Sequence, residues 1–162
     1  MEKLKVLITG ASGFVGGHLI VGLKQKGYKI CAIANKNSFP VEVKQSADSL
    51  INLDLLNDDV LGVLNSYAPD VIIHAAALSK PDECEKNPEL AKQTNEIITT
   101  QLLNAFHEIR SSSSKFIYIS TDLVFDGNPF CPLGGFKEND SPVSLSVYAK
   151  TKAQGECIVL KE

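Results

Sequence analysis

The sequence predicts an α/β fold: an open, doubly wound parallel sheet with helices on both faces. Three observations predict it. Short apolar runs alternate with amphipathic segments along the chain. The runs at 4–8, 28–34, 71–74 and 116–120 are apolar nearly throughout, as strands covered on both faces must be. Small or polar residues follow each run (Thr9-Gly10, Ala34-Asn35, His74-Ala75, Ser120-Thr121). Those positions are the carboxyl ends of strands, where such a sheet places its ligands.

Residues 4–8 (LKVLI) read as the first strand and 14–25 as a helix with apolar residues at helical spacing. Between them runs Gly10-Ala11-Ser12-Gly13-Phe14-Val15-Gly16. Strand, glycine turn and helix together make a phosphate cradle. The leading N–H groups of the helix are unpaired and its dipole adds positive potential there. Glycines allow the tight turn and the close approach of backbone to a dinucleotide pyrophosphate. The spacing is G-x-x-G-x-x-G rather than G-x-G-x-x-G, so a plain glycine turn is the competing reading.

The second strand is expected at 28–34. Residues 35–48 read as an irregular loop with an extended piece around 41–43, and 50–53 as a weakly signalled third strand. A helix over 57–67 aligns Leu61, Leu64 and Ala68 and is ended by Pro69-Asp70. After the strand at 71–74 come Ala75, Ala76 and Ala77. The longest helix spans 88–109, with Pro88 in its first turn and Ile97, Leu102, Leu103 and Phe106 as its buried stripe. A surface turn at 111–114 leads to the strand at 116–120. A loop from 121 to about 142 holds the turn formers Asp122 and Asp126-Gly127 and an unusual Cys131-Pro132-Leu133-Gly134-Gly135 stretch. The last helix is expected from 143 or 144 to the end.

Composition narrows the partners. The 162 residues suit one domain, 1–162, with 44% hydrophobic and 22% charged residues. The net charge is −3 with no basic block, which argues against nucleic acid. No apolar run has the length of a membrane span, and a strand beginning by residue 4 leaves no room for a signal peptide. A cytoplasmic protein with reduced thiols is expected. Cys31, Cys84, Cys131 and Cys157 form no C-x-x-C pair and no cluster with histidine, so no metal site is expected. The chain turns apolar at Ile158-Val159-Leu160 just before it stops, which suggests the amino-terminal part of something longer.

Tyr148 and Lys152 stand four apart in the last helix and project from one face. A fixed ammonium beside a tyrosine stabilises the phenolate, and such a tyrosine can pass a proton to a carbonyl oxygen as hydride arrives at the carbon. The Ser120-Thr121-Asp122 segment ends a strand, where a hydroxyl can hold the same oxygen. An exposed aromatic beside a solvated lysine, and a local turn hydroxyl, are the plainer readings.

Residues 6–16 (VLITGASGFVG), 70–77 (DVIIHAAA), 119–127 (ISTDLVFDG) and 148–156 (YAKTKAQGE) resemble the extended short-chain dehydrogenase/reductase family, which has the Rossmann fold. Within it the chain looks most like the dTDP-4-dehydrorhamnose reductase branch. The resemblance covers the whole chain and implies a catalytic trio at Thr121, Tyr148 and Lys152. It implies cofactor contacts from Gly10, Ser12, Gly13, Phe14, Val15 and Gly16, and from Asp54 and Leu55 near the adenine. Ala75, Ala76 and Ala77 would pass under the riboses, and Asn95 would support the strand ends. Lys152 would also bind the nicotinamide ribose.

The implied reaction is hydride transfer from NAD(P)H to a 4-keto nucleotide-sugar substrate. Asn35 and Lys36 follow the second strand where NAD binders carry an acid, so NADP is favoured over NAD. Thr121 is followed by Asp122-Leu123 rather than Asp-Glu, which disfavours a dehydratase. An epimerase is the alternative enzyme. The same branch also resembles the non-catalytic regulatory subunit of methionine adenosyltransferase. A homodimer is compatible with either. Leu123 and Ala149 stand where the family often has tyrosine and glycine, and the family continues past residue 162 into its substrate domain.

Overall fold

The computed structural model describes residues 3–125 and 135–161. The chain begins in the middle of its own sheet. Strand β1 (Lys5–Thr9) lies at the centre, and the order is β3-β2-β1-β4-β5, with every pairing parallel. Here β2 is Lys29–Ala34, β3 Ser49–Asn52, β4 Val71–His74 and β5 Lys115–Tyr118. The chain winds to one edge through β2 and β3, then crosses back over β1 to β4 and β5. The winding reverses between β1 and β4, which opens a crevice at their carboxyl ends. Register aligns those ends: Thr9 sits beside both Ile33 and His74.

Alternate strand residues feed two cores. Leu7, Ile33 and Ile72 pack with Leu64 of α3 (Val60–Tyr67) and with Leu102 and Phe106 of α6 (Ile98–Ile109). Ile8, Ala32 and Ile73 face the other way, onto Ile20 of α1 (Phe14–Gln25) and Val43 of α2 (Val41–Ser46). Both faces are covered over β1, β2 and β4, which is why those strands read as continuous apolar runs, whereas alternate residues of the edge strands, Leu50 of β3 and Ile117 of β5, are exposed.

Three expectations are corrected. The 41–43 segment is helical rather than extended: Val43 is buried where its side chain meets α1 beside Gly17, and that packing overrides the β preference of two valines. The 88–109 helix is α5 (Pro88–Lys92), a π turn over Gln93–Ile97, and α6, with a further helix α4 (Pro81–Lys86) before it. The wide turn rotates the face, so Asn95 is buried and Ile97 is exposed rather than part of the stripe. The last helix, α7 (Val147–Leu160), starts later than expected, because Ser146 caps it by accepting from the Ala149 N–H at 3.1 Å. The expected Asp126-Gly127 turn and the 131–134 stretch lie outside the described residues. Among the described residues no helix is long and apolar enough to cross a membrane.

Candidate functional site

The crevice is shaped first by glycine. Gly10 turns the chain out of β1 at φ +69°, and a Cβ there would lie 2.7 Å from the backbone of Ala75 and Ala76. A Cβ on Gly16 would collide with the Gly10 carbonyl. The Gly13 N–H donates to that same carbonyl at 2.9 Å. The loop is therefore folded tightly on itself and against the segment that follows β4. No side chain caps α1 at Gly13, so the helix presents its leading N–H groups and its positive dipole end.

Beside this loop lies a cleft of about 610 Å³. Gly10, Ser12, Gly13, Phe14, Val15 and Gly16 form one wall. Asn35 and Leu55 line one end, and Ala75, Ala76 and Ala77 line the side facing β4. Tyr148 and Lys152 close the other end. An elongated cleft with a glycine cradle on one wall and hydroxyl and ammonium groups at one end fits a dinucleotide.

Four expected residues lie elsewhere. Asp54 is tied into its own turn, accepting from the Leu56 N–H at 3.0 Å and the Asn57 side chain at 3.1 Å. Those bonds, with a smaller contribution from the charge of Lys36, hold its carboxyl below the usual range. Lys36 is exposed and off the cleft wall. Asn95 is buried behind the wall, where its Oδ1 accepts from the Leu78 N–H at 2.8 Å and its Nδ2 donates to Thr151 at 3.0 Å. Thr121 caps the short 3-10 turn Asp122–Val124, accepting from the Leu123 N–H at 3.3 Å. It nevertheless lies near enough to act on the Tyr148 phenol, in the direction that favours the phenolate.

The cleft also uses residues that the sequence reading passed over, among them Ser79, Lys80, Thr94 and Ser120. Ser120 is the informative one. Its Oγ is buried without a hydrogen-bond partner, on a residue that lines the cleft beside Lys152. Such a hydroxyl is costly unless something polar reaches it. The sequence signal was present, since Ser120 ends the apolar run of the fifth strand.

The electrostatics of the far end differ from expectation. Burial raises the Tyr148 phenol, and Cys84 and Asp122 raise it further; only Thr121 acts in the other direction. Lys152 does not act to lower it, because that buried ammonium gives up its proton near 8, before the phenol's own range is reached. Its Nζ donates to the Ile119 carbonyl at 2.7 Å and lies 3.9 Å from the centre of the Tyr118 ring. Lys152 is only 2% exposed, and burial brings it down to about 8, partly offset by Glu156.

That burial has a measurable consequence. Unfolded, Lys152 holds its proton up to the ordinary lysine range; folded, it gives the proton up near 8. Between those limits the unfolded chain binds more protons, so stability rises with pH. Below that window the folded protein carries the full cost of a buried charge. Lys152→Met is therefore expected to be about 1 kcal/mol more stable at pH 7, where loss of the Ile119 hydrogen bond offsets part of the gain. The difference should shrink from pH 8 to 10. Thermal unfolding of both proteins across that range measures it, and a constant difference would refute the assignment.

Sheet order, glycine turn and cleft together define a Rossmann domain of the extended short-chain dehydrogenase/reductase, epimerase/dehydratase type. The chain belongs to the RmlD substrate binding domain family, whose model matches residues 4–162. Methionine adenosyltransferase 2 subunit beta of Danio rerio is 35% identical over 97% of this chain and 44% of its own length. A dTDP-4-dehydrorhamnose reductase of Clostridium acetobutylicum superposes with a TM-score of 0.76 at 31% identity, over 98% of this chain and 49% of that one. MoeE5, in complex with UDP-glucose and NAD, superposes with a TM-score of 0.83 at 25% identity, over 97% and 48%. The reductase shares more sequence and MoeE5 superposes more tightly, so the family is fixed and the branch is not. The chain spans less than half the length of the curated relatives it matches.

Proposed function

We propose that this chain is the dinucleotide-binding part of a protein that acts on a nucleotide sugar through redox chemistry at a sugar carbon. The reductase and the epimerase readings share that step. The observation that carries it is one cleft with a glycine cradle along one wall and Tyr148 and Lys152 at its end, with Thr121 near enough to act on the Tyr148 phenol. When bound, a nicotinamide dinucleotide would supply or accept the hydride. The chain's own residues do the rest. Phe14, Val15 and Gly16 would hold the pyrophosphate with backbone N–H groups. Tyr148 would hold or release the proton at the sugar oxygen, and Thr121 would orient that oxygen. Lys152 would contribute positive charge near both.

NADP is the favoured form, because Asn35, Lys36 and Asn37 follow β2 with no acid to repel a 2′-phosphate. Paired titrations of the full-length protein with NADPH and NADH, followed by fluorescence, should show NADPH binding more tightly. A clear preference for NADH would refute the NADP assignment, and binding of neither would refute the cleft reading.

The 35% identity to a methionine adenosyltransferase subunit favours a second reading, in which the cleft binds a dinucleotide without turnover. Co-purification of the full-length protein with a methionine adenosyltransferase, together with no ketone reduction, would establish that reading instead.

A further inference from the structure

Beneath the cleft floor runs a continuous chain of buried hydrogen bonds that the chemistry above does not use. The Ala76 N–H donates to Thr9 Oγ1 at 3.2 Å, and Thr9 Oγ1 meets His74 Nδ1 at 2.7 Å. On the other side of the ring, His74 Nε2 meets Thr99 Oγ1 at 3.1 Å, and Thr99 Oγ1 donates to the Asn95 carbonyl at 2.8 Å. Asn95 Nδ2 then donates to Thr151 Oγ1 at 3.0 Å, and Thr151 donates to the carbonyl of Tyr148 itself at 2.9 Å. The chain starts one residue before Gly10 and ends on the backbone of Tyr148.

Its direction is fixed by counting protons. The hydroxyl proton of Thr99 is committed to Asn95, so Thr99 can only accept from His74 Nε2–H. His74 Nδ1 must then be the acceptor, taking the hydroxyl proton of Thr9. Thr9 in turn is free to accept from Ala76. Only a neutral His74 protonated at Nε2 satisfies every member. Burial acts the same way on this ring, pushing its pKa down to about 3, with the charge of Lys152 adding to the effect.

Thr9, His74 and Thr99 are fully buried, and Asn95 and Thr151 nearly so. Apolar side chains would hold a sheet–helix interface at lower desolvation cost. Five directional polar groups instead specify one relative placement of the elements they join. Those elements are three walls of the cleft: the glycine loop, the Ala75–Ala77 segment and helix α7. Asn95 adds a second tie, because it also pairs with both the N–H and the carbonyl of Leu78.

We propose that His74 and Thr99 are positioning residues, which fix Tyr148 relative to the glycine loop so that a bound dinucleotide and the phenol meet in register. The proposal rests on the dinucleotide reading of the cleft. The test uses the full-length protein and the tighter-binding of NADPH and NADH. Thr99→Val keeps the side chain's volume and breaks two links; Thr99→Ser keeps the hydroxyl. Thr99→Val should bind the dinucleotide roughly five- to tenfold more weakly, the scale of such couplings. Thr99→Ser should bind as wild type does. Hydrogen exchange should slow at residues 147–152 on binding in wild type and Thr99→Ser but not in Thr99→Val. Thr151→Val, which cuts the chain at its other end, should repeat the loss and serves if Thr99→Val does not fold. Nitrogen NMR of the wild type should show His74 protonated at Nε2.

Unchanged affinity and protection in folded Thr99→Val and Thr151→Val would overturn the proposal, as would a proton on Nδ1. Absence of dinucleotide binding by the wild type overturns the cleft reading itself, and is distinguished by appearing before any substitution is made.

Discussion

Gly10→Ala is expected to destabilise the domain by on the order of 3–5 kcal/mol and to abolish dinucleotide binding. Two costs combine. At φ +69° an L side chain pays about 1–2 kcal/mol for the left-handed conformation. In addition, the new Cβ would sit 2.7 Å from three backbone atoms of Ala75 and Ala76. No rotamer change relieves a clash with backbone, so either β1 and β4 separate at their ends or the glycine loop lifts. Both movements open the wall on which the pyrophosphate would lie. Gly27→Ala is the control: φ is +88° there, but nothing lies within 4 Å of the added Cβ. That variant should lose only about 1–2 kcal/mol and keep its affinity. Urea unfolding and a dinucleotide titration of both variants test the difference, and equal losses would show that the steric argument is wrong.

The contrast between these glycines also shows what the sequence could reveal. The loop from Gly10 to Gly16 and the helix Phe14–Gln25 were legible because strand, turn and helix signals are local and agree. The doubly wound parallel sheet followed from chain alternation and right-handed crossovers, while the order of its strands comes from the structure. Segment 41–46 was not legible, since two valines and a proline look extended until their packing on α1 is known. Asn95 was assigned a supporting role by resemblance, but a π turn decides that it faces inward, and no periodicity announces one. Lys36 was read as a ligand contact from its position after a strand, and Asp54 from the resemblance; the structure ties Asp54 into a local turn and leaves Lys36 off the wall. Thr121 and Tyr148 lie 27 positions apart in sequence, yet the fold brings Thr121 near enough to act on the Tyr148 phenol while its hydroxyl caps a local turn. Ser120 was passed over because two adjacent hydroxyls at a strand end look interchangeable until burial separates them.

Tyr148→Phe carries the other large effect: turnover of a nucleotide-sugar ketone by the full-length protein should fall roughly 10²–10⁴-fold, the usual contribution of a positioned proton donor. One oxygen is removed and little else changes. The ring packs with Cys84, Ala91 and Leu78, and phenylalanine keeps those contacts, so the unfolding temperature should be nearly unchanged. Dinucleotide affinity should hold within a few-fold, since the glycine loop is untouched. The direction of the phenol's pKa adds a second readout. Burial raises it above the ordinary tyrosine value, so at neutral pH Tyr148 carries its proton. A protonated phenol is the form that donates to a ketone oxygen. Reduction should therefore hold its rate through neutral pH and decline only as pH climbs through the phenol's pKa. The reverse oxidation needs the phenolate and should speed up over the same rise, and both slopes should vanish in Tyr148→Phe. A wild-type rate in that variant would remove Tyr148 from the chemistry. A wild-type protein that binds dinucleotide tightly but reduces nothing would make the cleft a binding site, and the shape of its far end a matter of assembly rather than catalysis.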